Sequence, residues 1–327
     1  MLRRSVLKQS LAALCAAAAA VATVPAHAQA YPTKPVRVIL PFPAGGSTDV
    51  TARIVVDELS KSLGQPVIVE NKPGANGNIA AGEVARAAPD GHTLLFATIG
   101  IIAINPSLYK LPFDPLKDFT PLATAAVNQT VLVVHPSVPA DTLQQLIALA
   151  KAKPGQISYA STGSGGIAHV AGEMLKRRAG IQMLHVSYKG AAPALQDLIG
   201  GQVQVMFDTP ATSTPHIQSG KLKAIAIPAA KRYAGLPSAP TFAEAGLPDF
   251  EAAVWNGFVG PKGMPEPVVA KLNGEINRLL QRSDVREKLA KQGLEALALT
   301  PQEFGARIRA DVDRYSKIIK AAGIKVD

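Results

Sequence analysis

The chain holds 327 residues with 34 Lys and Arg against 24 Asp and Glu, a net charge of +10 at pH 7. The basic residues are scattered along helical patterns and aromatics are few, which argues against a nucleic-acid partner. Cys15 is the only cysteine and lies in the leader described next, so the remainder has no disulfide, no thiolate nucleophile and no Cys-based metal site.

Arg3, Arg4 and Lys8 precede an Ala-rich apolar stretch, and Ala26 and Ala28 give the small-x-small pattern of a cleavage site after Pro25. Residues 1–28 therefore read as a signal peptide cleaved near Ala28, which predicts a periplasmic product. The "RRSVLK" stretch is similar to a twin-arginine signal, so the sequence leaves Sec and Tat export both open. No later run approaches the length of a membrane span.

Past the leader, short β-branched runs alternate with helical patterns. "VRVILPF" (36–42), "VIVEN" (67–71), "TLLFAT" (93–98), "VLVVH" (131–135), "ISYAS" (157–161), "MLHVSY" (183–188), "VQVMFD" (203–208) and "LKAIAI" (222–227) read as buried strands. The alternation predicts an α/β protein with parallel sheets covered on both faces, in which ligands bind beyond the carboxyl ends of the strands. After Ser47, apolar residues recur at helical spacing from Val50 to Leu63 until Gly64 ends the segment. Val268, Val269, Leu272, Ile276, Leu279 and Leu280 form the stripe of a later helix. Thr300, Pro301 and Glu303 make a capping box before a last helix whose stripe runs from Phe304 to Ile319. Residues 105–121 and 228–265 are Pro- and Gly-punctuated and show no period. They mark crossings between two expected domains, a discontinuous one of 29–129 and 254–327 and another of 130–253, with a ligand cleft between them.

Four strand-to-helix turns are built from small residues: "PFPAGGSTDV" (41–50), "NKPGANGNIA" (71–80), "STGSGGIAHV" (161–170) and "YKGAAPAL" (188–195). None contains G-x-x-x-x-G-K-[ST], which excludes a Walker-type loop. Gly163 to Ala168 fits G-x-G-x-x-A, but the acid a dinucleotide site needs about 20 residues on is replaced by "SYKG". The elbow G-x-S-x-G is absent from the turns at 45–49 and 162–166, which argues against a hydrolase built on Ser47 or Ser164. His169 and Glu173, four apart on one helical face, read either as a base with its orienting acid or as an ordinary surface pair. The first turn of a helix presents unpaired N–H groups and partial positive charge, and glycine lets a ligand approach that backbone, so these turns suit a carboxylate. Ser47, Thr48, Asn76, Ser161, Thr162 and Ser164 add uncharged partners. Asp49 reads either as a cap of its own helix or as the acceptor for a donor group on the ligand. Glycine, serine and asparagine also make good turns with no ligand at all.

The stretches "YPTKPVRVILPFPAGGSTDVTAR", "VIVENKPGANGNIAAGEVARAAPDGHTLLFAT", "HVSYKGAAPALQDLIGGQVQVMFD" and "LPSAPTFAEAGLPDFEAAVWNGFVGPKGMP" resemble the Bug or TctC family, the extracytoplasmic solute receptors of tripartite tricarboxylate transporters. The resemblance covers almost all of the exported chain and departs from the family at His92, Ser187 and Met264. It implies a type II periplasmic-binding-protein-like fold, two α/β domains joined by two crossover segments, holding a carboxylate in the cleft, often through ordered water. It also implies Phe42, Ala44, Gly45, Gly46, Ser47, Thr48, Asp49, Ser161, Thr162, Gly163, Ser164 and Gly165 as ligand-binding residues, with Asn76, Gly77, His169, Tyr188 and Asp208 close by. The expected function is capture of a di- or tricarboxylate, an amino acid or an aromatic acid for the membrane permease subunits of such a transporter. A monomer with no metal, no cofactor and no catalysis is expected. The alternatives left open are a carboxylate sensor for a membrane signalling partner and an exported hydrolase.

Overall fold

A computed structural model describes residues 31–163, 165–188 and 190–325, and the backbone but not the side chain of Ser47. The leader at 1–28 and the site residue Ser164 lie outside the described residues. The chain divides into two units, Met1–Thr33 and Lys34–Asp327. The architecture that follows is that of the second.

The elements in chain order are β1 (Val36–Leu40), α1 (Ser47–Leu63), β2 (Val67–Asn71), α2 (Asn78–Ala85), β3 (Thr93–Thr98), β4 (Phe119–Asn128), β5 (Val131–Val134) and α3 (Leu143–Ala152). They continue with β6 (Ser158–Ser161), α4 (Ile167–Ala179), β7 (Leu184–Ser187), α5 (Ala191–Ile199), β8 (Val205–Asp208), α6 (Pro210–Gln218) and β9 (Lys223–Ala226). After them come β10 (Val254–Pro261), α7 (Glu266–Gln281), α8 (Ser283–Ala290), β11 (Leu294–Ala296) and α9 (Pro301–Ala322). The local signals act as expected: Gly64 takes the left-handed conformation that ends α1 (φ 66°), and the Thr300–Glu303 capping box opens α9.

The strands form two sheets, one in the order β11-β4-β10-β3-β1-β2 and one in the order β7-β6-β8-β5-β9. The eight strands expected from β-branched runs are present. The sheets are mixed rather than parallel, which corrects the expectation: β10 runs antiparallel to β3 and β4, and β5 runs antiparallel to β8 and β9. Two of the strands that make the first sheet mixed, β4 and β10, were hidden in segments of low strand propensity. β4 (FTPLATAAVN) carries a proline and three alanines, while β10 (VWNGFVGP) carries two glycines. Packing overrides propensity there. A Cβ on Gly257 would stand 2.8 Å from both the Ala123 carbonyl and Phe304 Cζ, and the ladder between β4 and β10 shifts register at Gly257. Trp255 of β10 is buried edge-on against Phe304, with ring centroids 5.1 Å apart, and donates its indole N–H to Asp311 (2.8 Å), which fastens α9 to the sheet.

Strand register fixes where the loops emerge. β1 pairs in parallel with β2 and β3, so Leu40, Asn71 and Thr98 end at one edge of the first sheet. Asn256 pairs with Thr98 and Val254 with Asn128, so β4 ends and β10 begins at that same edge. In the second sheet Ser161 pairs with Ser187 at the ends of β6 and β7, and Val131 pairs with Asp208, so β5 begins where β8 ends. Only Gln129 and Thr130 separate β4 from β5. Three peptide units reach at most ~11 Å, so the carboxyl edges of the two sheets come close at this passage. Buried Thr130 donates its hydroxyl to the Ala252 carbonyl (2.8 Å), tying the outgoing strand to the returning one.

Thr130→Val should leave that buried carbonyl unpaired and lower the unfolding free energy by about 1–3 kcal/mol, while Thr130→Ser should keep most of it. Urea denaturation of the three proteins measures the difference.

Candidate functional site

The four small-residue turns all leave the carboxyl edges just described, and all four lead into helices that begin on glycine. Gly46, Gly77, Gly166 and Gly190 are the N-caps of α1, α2, α4 and α5, and none supplies a side-chain hydrogen bond to the helix it opens. Elsewhere Thr142 and Thr300 cap α3 and α9 with their hydroxyls. The N–H groups of a first turn have no acceptor inside their own helix. A glycine cap supplies no side-chain acceptor for them, which suits an anion from outside, where the helix dipole also favours negative charge, although at α2 the Asn78 N–H already donates to the Ala75 carbonyl.

The first loop is braced from three sides. Asp49, buried, accepts from the Gly45 N–H (3.0 Å) and Arg53 Nε (2.9 Å) on one oxygen and from Asn71 Nδ2 (2.9 Å) on the other. Asn71, at the end of β2, also donates to the Phe42 carbonyl (2.9 Å). Arg53 beside it, with the Gly45 N–H and Asn71, holds the Asp49 carboxyl at about 2, against the opposing effect of burial. Ala44, Gly45 and Gly46 are exposed, whereas Phe42 and Thr48 are half-buried.

At the turn of 71–80, Asn76 is exposed and has left-handed backbone geometry (φ 53°). Its side chain donates to Asn105 Oδ1 (2.9 Å), and the fully buried Asn105 returns bonds to the Asn76 carbonyl (3.0 Å) and Asn78 Oδ1 (2.7 Å). Gly77 is required: a Cβ there would stand 2.5 Å from Ile101 Cδ1, at a φ of +89°.

The second glycine-rich loop rests on imidazoles. His169, buried, accepts the Gly165 N–H at Nδ1 (3.0 Å) and stacks on His185 with ring centroids 3.8 Å apart and planes 3° from parallel. His185 Nε2 lies 2.7 Å from Ser161 Oγ, and Ser161 donates to the Gly163 carbonyl (3.1 Å). Burial, together with its neighbour His185, pushes His169 down to about 4, and burial lowers His185 as well. Both readings offered for His169 and Glu173 give way to this arrangement. Glu173 accepts from Tyr159 OH (2.6 Å) and Lys176 Nζ (2.7 Å), so the His169 ring is oriented by Gly165 and His185 instead.

Tyr188 donates its hydroxyl to Asp197 (2.7 Å), and burial with this bond pushes the phenol up to about 12. Asp208, buried at the end of β8, accepts from Thr212 (2.6 Å) and Ser213 (2.5 Å). Thr162 is exposed and Gly163 half-buried. Sequence reasoning missed Asn71, Asn105 and His185. Asn71 ends β2, Asn105 lies beyond β3 and His185 sits within β7, and each acts on a neighbouring loop, a role that local spacing does not show. Cavities of about 540 Å³ beside Glu173, Arg177 and Arg314 and about 650 Å³ beside Gln129, Lys231 and Arg286 lie elsewhere on the molecule. No residue of the four turns lines either cavity, so the turns remain the candidate site. Among the described residues no group of three or more His, Cys, Asp or Glu stands together to hold a metal ion.

Two mixed sheets with glycine-capped helix starts at the carboxyl edge of each have the architecture of an α/β solute-binding protein. Residues 51–324 match the family described as "Tripartite tricarboxylate transporter family receptor", and the chain belongs to that family. It is 37% identical to Protein BugT of Bordetella pertussis over 304 residues, covering 92% of this chain and 93% of BugT. Its fold is similar to that of R. palustris Rpa4515 solved with adipate (TM-score 0.80, 35% identity, 90% of this chain and all of that one). It is also similar to MatC (Rpa3494) of Rhodopseudomonas palustris with bound malate (TM-score 0.76, 35% identity, 88% of this chain and all of that one).

Neutral, buried His169 makes the protein acid-sensitive. Its native proton affinity corresponds to about 4 against 6.5 in the unfolded chain, so the unfolded state holds more protons between these values. Stability is therefore full above pH ~6.5 and falls as pH drops toward 4, by about 2–3 kcal/mol for this group. In urea denaturation at pH 7 and 4.5, His169→Asn should lose about 2 kcal/mol less than the wild type between the two conditions.

Proposed function

We propose that the protein is a periplasmic receptor that binds a small organic carboxylate, first of all a dicarboxylate of the malate or adipate type, and presents it to the permease subunits of a tripartite tricarboxylate transporter. The observation that carries this reading is the set of four glycine-capped helix starts at the carboxyl edges of two sheets. The export leader supports the periplasm, and the relatives crystallised with malate and adipate support the ligand class. The lobes would be 29–129 with 254–327 and 130–253, hinged at the passage tied by Thr130 and Ala252. The ligand would meet the loops at Phe42 to Thr48 and Ser161 to Gly165, with Asn76 and Gly77 at the rim, and Tyr188 and Asp208 shaping the second lobe. Contacts made only in the closed state would drive closure. The protein would act as a monomer and would not use His169 and Glu173 as a catalytic pair, since each is committed to other partners.

A thermal-shift screen of the mature protein against a carboxylate panel should raise the melting temperature for one or a few members. At a hundredfold excess over Kd the stabilisation is about 2.7 kcal/mol. No shift with any di- or tricarboxylate, amino acid or aromatic acid would defeat the reading. Gly46 has a φ of −76° and its nearest neighbour to an added Cβ is 3.8 Å away, so the fold accepts a side chain there. Gly46→Val should fold normally yet bind at least about tenfold more weakly by calorimetry, a loss of ~1.4 kcal/mol. Unchanged affinity would remove Gly46 from the ligand path.

A further inference from the structure

The two signature loops follow one plan with two different acceptors. In each, a left-handed glycine (Gly45, φ 83°; Gly165, φ 80°) precedes an extended N-cap glycine (Gly46, φ −76°, ψ 166°; Gly166, φ −72°, ψ 165°). Three residues after each cap, a helix side chain reaches back and takes the N–H of the left-handed glycine: Asp49 for Gly45 (3.0 Å) and His169 for Gly165 (3.0 Å). "GGSTD" and "GGIAH" are thus equivalent in backbone and bonding.

Both acceptors are anchored from behind. Arg53 and Asn71 occupy Asp49 along with Gly45, and the His169 ring lies flat on His185, which reaches Ser161 at the head of the same loop. An acceptor fixed in this way sets the orientation of the Gly-Gly peptide, and with it the line along which the next N–H groups point.

We infer that Asp49 and His169 are paired positioning residues: each holds its glycine loop in the binding conformation through one backbone N–H, and neither touches the ligand. The inference rests on the carboxylate-receptor reading for its consequence, but its geometry can be tested without ligand. The two acceptors also separate the loops by acid response. Asp49 stays ionised and accepting down to about pH 2, whereas a protonated His169 has no lone pair at Nδ1 to offer Gly165.

The groups around His169 oppose its charging. His185 on β7 and Lys176 on its own helix disfavour the imidazolium, and Glu173, shared between Tyr159 of β6 and Lys176, favours it. From α9, Asp313, Arg314 and Lys317 face Glu173 across the adjoining cavity. On β8, Asp208 is committed to Thr212 and Ser213.

The test is glycine-selective ¹⁵N NMR of the ligand-free protein from pH 7 to 3.5, combined with calorimetry on malate, adipate and any acid that scores in the thermal screen. The Gly165 amide should titrate with the His169 ring while the Gly45 amide stays flat. His169→Asn, whose Oδ1 can replace Nδ1, should abolish the Gly165 titration and keep affinity within about twofold. His169→Leu should bind about fivefold or more weakly at pH 7, the loss expected for one hydrogen bond. Each acid titrates alike in all three proteins, so the difference between their pH profiles isolates His169. A Gly165 amide indifferent to His169 overturns the inference. So does equal affinity in the wild type and both variants, which would leave the receptor reading standing. Coupling of Gly165 to His169 with no carboxylate bound would instead sink the receptor reading and keep the brace. Should His169→Leu fail to fold, the loss of Gly165 titration in His169→Asn decides alone.

Discussion

A helix that begins on glycine has no side chain with which to satisfy its own first-turn N–H groups, and four helices of this fold begin that way at the same kind of strand end. Such ends attract negative charge by their geometry alone. The net positive charge of the chain is spread along helix surfaces, where Lys and Arg pair largely with neighbouring acids, as in Lys271–Glu275 and Lys317–Asp313. Under the receptor reading proposed above, an anion at these turns would meet backbone N–H groups rather than ammonium or guanidinium groups.

The strand pairing places two of those helix starts at the carboxyl edge of each sheet. Parallel pairing of β1, β2 and β3, and of β6, β7 and β8, sends each following turn out of the same edge of its sheet. The antiparallel placement of β5 then lets the chain pass from the end of β4 into the second sheet without a long connection. A purely parallel sheet would end every strand at this edge and start none there. The mixed pairing is what allows only two residues to separate the sheets at Gln129 and Thr130.

How much of this was legible in the sequence depends on whether the cause is local. Eight strands, the helix after Ser47 and the capping box at Thr300 follow from nearby residues, and the structure contains them. β4 and β10 were not visible because alanine, glycine and proline disfavour strands, and only close packing against Phe304 and the Ala123 carbonyl makes Gly257 the fitting residue. In the site, the glycine turns and their helices were readable, and the bracing was not. Asp49 was ambiguous between two roles, and its three donors come from residues 45, 53 and 71. His169 was weighed against Glu173 at helical spacing, whereas its working neighbours are Gly165 just before the helix and His185 on another strand. Spacing along one helix reports what could meet; it is silent on a partner that arrives from the sheet.

The two braces also differ in charge, and this bears on how the loops share an anion. Asp49 places a full negative charge within the first turn of α1, offset by Arg53 at 2.9 Å, whose guanidinium is largely exposed and so only partly compensates. His169 performs the same service at α4 with a neutral ring. The potential at the α1 start is therefore lowered by its own brace, while that at the α4 start keeps the full contribution of its helix dipole. Two loops equal in backbone geometry are unequal in field, and under the receptor reading proposed above the end of a ligand that carries the greater negative charge would be better stabilised at Gly165 and Gly166 than at Gly45 and Gly46.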